Sequence, residues 1–102
     1  MIAQVTLADV QAAAGRVQPY VRRTPLLELG RTTRQRLAWD VVLKLESLQV
    51  TGSFKPRGAL NALLTLPPDR VKGGVVTASG GNHGLGVAYA ARTLGVPATV
   101  YV

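Results

Sequence analysis

The segment from Gly73 to Val102 constrains the fold more than any other part of this chain. Gly73-Gly74-Val75-Val76-Thr77-Ala78 is a short apolar run rich in β-branched residues and reads as a strand. Ser79-Gly80-Gly81 follows as a glycine turn. Asn82 to Leu94 is then a helix of small residues ending at Gly95, which suits a left-handed C-terminal cap. Pro97-Ala98-Thr99-Val100-Tyr101-Val102 reads as another strand. Strand, turn, helix, glycine, strand is a βαβ unit, so its strands are expected parallel and joined by a right-handed crossover. Parallel strands are normally covered on both faces. One such unit with two further helices supplies too little cover, and the chain closes on a strand-like stretch. The expectation is an α/β fold in which these 102 residues are the amino-terminal piece of a longer protein.

Upstream, Thr6-Leu7-Ala8-Asp9 resembles a capping box with Asp in place of Glu, and opens an alanine-rich helix running to Val17. Pro19 prevents its continuation. Arg23-Thr24-Pro25 is extended by the restriction before proline and leads into Leu26-Leu27. A polar helical turn is expected around Arg31 to Leu37, a strand over Val41 to Glu46, and a loop from Ser47 to Gly52. Ser53 reads as the N-cap of a further helix, with Pro56 in its first turn. Leu60, Leu63 and Leu64 continue the apolar face of that helix until Pro67-Pro68 stops it.

Composition narrows the function classes. Hydrophobic residues make up 47% of the chain, as in packed globular proteins, and no apolar run is long enough to span a membrane. The amino terminus lacks the basic start and apolar stretch of a signal peptide. Cysteine is absent, which removes disulfides and thiolate metal sites and makes the cytoplasm the expected compartment. The net charge of +7 raises nucleic acid as a partner, and five of the twelve basic residues (Arg22, Arg23, Arg31, Arg34, Arg36) fall between positions 22 and 36. That segment holds no aromatic residue for base stacking and no recognised docking motif, so it reads as a solvated face.

Two stretches carry chemistry. In Ser79-Gly80-Gly81-Asn82-His83, a helix amino terminus offers unpaired N–H groups and partial positive charge to an anion, and glycines let it approach the backbone. A tight strand-to-helix turn with no ligand explains the same residues, and Asn82 either caps the helix or points its amide at a ligand. Nucleotide fingerprints fail: Gly84-Leu85-Gly86 has Tyr89 where a third glycine belongs, and no Gly-Lys-Ser/Thr occurs. The other stretch is Ser53-Phe54-Lys55-Pro56-Arg57-Gly58-Ala59. Lys55 opposes the helix dipole by a few tenths of a kcal/mol, too little to forbid an ordinary solvated lysine. If it is desolvated beside Phe54, its neutral amine becomes available for Schiff-base chemistry. His83, the single histidine, has no triad or metal constellation around it, and Glu46 reads as a structural or hydrogen-bonding carboxylate.

Read in order, Leu43-Lys44-Leu45-Glu46-Ser47-Leu48-Gln49-Val50-Thr51-Gly52-Ser53-Phe54-Lys55-Pro56-Arg57-Gly58-Ala59 closely resembles the cofactor segment of pyridoxal-phosphate-dependent threonine/serine dehydratases and serine racemases. Thr77-Ala78-Ser79-Gly80-Gly81-Asn82-His83-Gly84 resembles the substrate-carboxylate loop of the same group, and Thr24-Pro25-Leu26 matches its early Thr-Pro-Leu. The resemblance implies a fold type II, tryptophan synthase β-like enzyme. Residues 1–70 would belong to its larger cofactor-bearing domain, and 71–102 would begin the smaller α/β domain. It implies that Lys55 bonds pyridoxal 5'-phosphate as a Schiff base and acts as base, that Phe54 lies against the pyridine ring, and that Asn82 hydrogen-bonds the ring hydroxyl. Ser79, Gly80, Gly81, Asn82 and His83 would hold the carboxylate of an amino acid substrate.

The implied reaction is dehydration of L-threonine or L-serine to a 2-oxo acid and ammonia. Sulfhydrylase and cystathionine synthase relatives usually carry threonine where His83 stands. Serine racemases tend to carry serine where Gly80 stands, and glycine transfers no proton. Family members often have glutamine at the position of Leu85, a departure that bears on substrate contacts. A later phosphate loop and a Ser or Cys opposite the pyridine nitrogen have no counterpart here, so the piece alone is expected to bind cofactor poorly and be inactive. The full-length protein is expected to be a homo-oligomer with no nucleic-acid or membrane partner and no metal. The alternatives are a serine racemase or other amino acid lyase, a non-enzymatic anion-binding module, and a basic nucleic-acid-binding domain.

Overall fold

The computed structural model describes residues 3–30 and 39–102, so the helical turn expected at Arg31 to Leu37 lies outside the described residues. Helix α1 spans Leu7–Val17 and opens on the expected capping box: Asp9 N–H donates to Thr6 Oγ1 at 3.2 Å, and Thr6 N–H donates to the Asp9 carboxylate at 2.8 Å. A single 3-10 turn, Gln18–Tyr20, absorbs Pro19. Strands β1 (Leu26–Glu28) and β2 (Val42–Lys44) pair antiparallel, with Leu27 opposite Leu43. The strand expected over Val41 to Glu46 is therefore shorter at both ends, and Glu46 starts a 3-10 turn. Leu26-Leu27, too brief to read as a strand alone, becomes one because β2 supplies its hydrogen bonds.

The expected loop is two successive 3-10 turns, Glu46–Leu48 and Val50–Gly52. Helix α2 spans Lys55–Thr65, with Phe54 at its N-cap and Pro56 in its first turn. Ser53 is not the cap: its Oγ accepts from Lys55 N–H only at 3.4 Å, because α2 starts one residue later than the serine requires. The short α3 (Pro68–Lys72) leads into β3 (Val75–Ala78). Helix α4 occupies Asn82–Leu94 and β4 occupies Ala98–Tyr101, parallel to β3 with Val76 beside Thr99. Gly95 adopts φ 68°, and Val96 N–H returns to Ala91 O at 2.8 Å, closing α4 as its glycine predicts. Asn82 is not the cap of α4; Gly81 holds that position and has no side chain with which to cap it.

The core lies between α2 and α4. Ala59, Leu60 and Leu63 meet Val87, Ala90 and Ala91, and Val17 from the end of α1 completes the cluster. Small residues on α4 let the helices approach closely: a Cβ on Gly86 would stand 3.0 Å from the carbonyl carbon of Lys55. Arg16 Nε donates to Asn61 Oδ1 at 2.9 Å, tying α1 to α2, and Tyr89 hydroxyl donates to Tyr20 O at 2.6 Å, tying the following 3-10 turn to α4. This packing sets the start of α2 beside the start of α4, where both chemical stretches lie.

Candidate active site

Lys55 is the first residue of α2 and is half-buried. Its Nζ sits 5.1 Å from the ring centroid of Phe54, in cation–π range, while Phe54 as a residue is 60% exposed. The ring therefore shields one side of the amine and remains open to a ligand. The backbone of Lys55 is backed by Gly86, which lies four residues, about 6 Å along the axis, into α4. The lysine turn and the glycine turn thus occupy the adjacent ends of two packed helices.

The glycine turn is built from β3 outward. Ser79 N–H donates to Tyr101 O at 2.8 Å, which extends the β3–β4 ladder to the turn, and Ser79 Oγ accepts from Gly81 N–H at 3.2 Å. With Gly81 at the N-cap, helical geometry leaves the N–H groups of Asn82, His83 and Gly84 without an intrahelical carbonyl. A Cβ at Gly80 or Gly81 would meet nothing within 4 Å, so open space adjoins this backbone. An open cavity of about 310 Å³ lies against the turn, walled by Ser79, Gly80, Gly81, Leu85 and Val100. His83 is exposed, and its Nε2 shares a 3.0 Å hydrogen bond with Thr77 Oγ1, pinning the first turn of α4 to β3. No cluster of metal-ligating side chains exists among the described residues, and no described helix is long and apolar enough to cross a membrane.

Beside Lys55 stands a polar hub that the sequence signalled only weakly. Arg57 Nε donates to Glu46 Oε2 at 2.7 Å, and its second fork nitrogen, Nη2, donates to Oε1 at 2.9 Å. Thr24 Oγ1, nearly buried, donates to the same Oε1 at 2.5 Å. The Arg57 bonds hold the Glu46 carboxyl down at about 2 despite the opposing effect of burial, with Thr24 adding to the same end. Gln49, also buried, accepts from Arg22 N–H and donates to Arg22 O, both at 2.8 Å. The available signal was a second cation in the first turn of α2, where the helix dipole disfavours it unless an acid is near.

Within this segment Thr51 takes φ 64°, a left-handed conformation costly for a β-branched residue, and its buried hydroxyl has no hydrogen-bond partner among the described residues.

Known proteins carry the same arrangement of segments. Residues 17–102 match the family described as pyridoxal-phosphate dependent enzymes. The catabolic L-threonine dehydratase TdcB of Staphylococcus aureus (strain USA300) is 42% identical over 96 residues, covering 94% of this chain and 28% of that protein. Among solved structures, the T.th. threonine deaminase superposes with a TM-score of 0.79 at 48% identity, over 96% of this chain and 34% of that one. Serine racemase from Dictyostelium discoideum superposes with a TM-score of 0.85 at 41% identity, over 96% of this chain and 32% of its own. The chain thus spans roughly a third or less of the relatives it matches. With a match over most of its length and an α/β fold shared with these structures, this chain belongs to the pyridoxal-phosphate dependent enzyme family.

Proposed function

We propose that this chain is the amino-terminal part of a pyridoxal-phosphate-dependent dehydratase that converts L-threonine or L-serine to a 2-oxo acid and ammonia. One observation carries the reading: the amine-bearing turn at Lys55 packs through Gly86 against the helix whose glycine-rich start offers free N–H groups. The residues present fit the cofactor. An exposed phenylalanine flanks a half-buried lysine, and open space adjoins the backbone of Gly80 and Gly81 in the neighbouring turn. On this reading residues 1–70 belong to the cofactor-bearing part of the enzyme and 71–102 to the part that holds substrate.

When bound, pyridoxal phosphate withdraws electrons from the substrate's α-carbon, which lets the α-proton and the β-hydroxyl leave. The chain's own residues supply holding, orientation and proton transfer. Lys55 Nζ would hold the cofactor through its aldehyde carbon, and its free amine would accept the substrate's α-proton. Phe54 would pack on the cofactor ring, and Asn82 would donate its side-chain amide to the ring hydroxyl. The N–H groups of the Ser79–His83 turn take the substrate carboxylate, helped by the positive end of α4. Fixing that carboxylate orients the α-hydrogen toward the lysine.

A serine racemase is the second reading, favoured by the likeness to the Dictyostelium discoideum enzyme. Against it, Gly80 places no proton-transferring side chain at the turn. The full-length protein is read as a cytoplasmic homo-oligomer that takes an amino acid as its small-molecule substrate. The test is to supply that protein with L-threonine and with L-serine and follow both 2-oxo acid and D-serine. Release of 2-oxobutanoate from L-threonine, lost in Lys55→Ala together with the visible absorbance of lysine-bound cofactor, supports the dehydratase. D-serine as the main product from L-serine would replace it with the racemase.

A further inference from the structure

The first turn of α2 lacks a side-chain cap at Phe54 and holds two cations, Lys55 and Arg57, both opposed by the helix dipole. An outside hold is needed, and Glu46 supplies it. Its two oxygens receive the Arg57 fork at 2.7 and 2.9 Å, which fixes direction as well as distance. The Glu46 side chain is only 16% exposed, so the pair is less screened than one on open surface. Thr24 Oγ1 binds the same carboxylate, and Arg57 Nη2 also reaches Arg22 O at 3.4 Å. Gln49 links the Arg22 backbone to Val50 N–H, so the approach to α2 is held at both ends. That surrounding restraint is what allows the left-handed Thr51 to persist.

Successive helical side chains diverge by about 100°, so Lys55 leaves the axis roughly 200° from Arg57. With Arg57 anchored toward Glu46 and the Arg22 carbonyl, Lys55 is turned toward α4. Its Cβ indeed lies on that side, 3.0 Å from where a Cβ on Gly86 would stand. We propose that Glu46 and Arg57 are positioning residues for Lys55: their fork sets the rotation of the first turn of α2 and so the direction of the lysine amine. The inference takes Lys55 as the reactive amine from the reading above.

The test uses the full-length protein and two variants, Arg57→Lys and Glu46→Gln. Arg57→Lys keeps the charge and loses the fork. Trace acylation with acetic anhydride, followed by peptide mass analysis, gives the reactivity of Lys55 relative to the exposed Lys72. The expected result is a change of about threefold or more in that ratio in both variants, with slower capture of pyridoxal phosphate by borohydride trapping at Lys55. A ratio within about twofold of the parent in both folded variants would show that the pair merely stabilises and would overturn the proposal. Where Glu46→Gln does not fold, Thr24→Val takes its place: it strips one donor from the carboxylate, leaves the fork, and is expected to shift the ratio less than Arg57→Lys does. No shift in Arg57→Lys and Thr24→Val together overturns the proposal equally. The acylation ratio is read on protein freed of cofactor, where the Lys55 amine is unblocked, so it decides for or against the fork by itself, whereas no uptake by the parent protein counts against the cofactor reading alone.

Discussion

At Glu46 one carboxylate collects three donors from two separate stretches of chain, and its acidity records that. The folded carboxyl lies near 2 against an ordinary 4.5, so the carboxylate stabilises the fold in full above about pH 4.5. That contribution, on the order of 2–3 kcal/mol, drains away as pH falls from there toward 2. Glu46→Gln is therefore expected to show its full destabilisation in urea titrations near neutral pH and a shrinking difference from the parent in acid; a gap that stays constant from neutrality to pH 2 would contradict this. Two glycines give a contrasting pair. A Cβ on Gly84 would stand 2.8 Å from Ser79 O and 3.0 Å from Val100 Cγ1, so Gly84→Ala must displace the turn and should cost about 1–3 kcal/mol. Gly58 sits within α2 with nothing near its missing Cβ, and Gly58→Ala should stabilise by about 0.5–1 kcal/mol. Thermal melts of the two variants should move in opposite directions.

Among the elements, those governed by local chemistry follow their sequence closely. Helix α1 begins at its capping box, and α4 runs from the glycine turn to a left-handed Gly95. The apolar face of α1 is mostly solvent-exposed, with Leu7 73% and Val10 55% accessible, so its start depends on the cap more than on packing. Thr6→Ala should cost about 1 kcal/mol, read as fraying of the first turns by amide hydrogen exchange, while leaving protection in α4 unchanged. Elements that depend on a distant partner read less well. β1 is three residues long and exists through pairing with β2, and Ser53 loses the cap position because α2 begins where Gly86 admits the Lys55 backbone. Glu46 was legible as a hydrogen-bonding carboxylate, but its partners Thr24 and Arg57 and the neighbouring Gln49 were not, since the members of the hub lie up to 33 positions apart.

At the scale of the whole molecule, the radius of gyration is 16.6 Å, where a globular domain of this length would measure about 13 Å. Among the described residues the core is a single cluster, and both sheets carry bare apolar side chains: Leu26 is 66% exposed, Val76 71% and Tyr101 64%. α4 packs against the β3–β4 pair on the side of Val100, while Val76 and Tyr101 on the other side stay open. The 102-residue polypeptide by itself should therefore bind a hydrophobic dye and associate as concentration rises, and a strictly monomeric, dye-silent species would contradict this. By itself the sequence determined the βαβ unit, the helix ends at Thr6 and Gly95, and the glycine turn that opens α4, because caps, turns and glycine-rich helix starts are decided by neighbours within a few residues. Only the tertiary structure decided that Gly86 would seat the Lys55 backbone and that Glu46 would grip Arg57. Both depend on how two helices and a hairpin pack, and that is set by contacts between residues far apart in the chain.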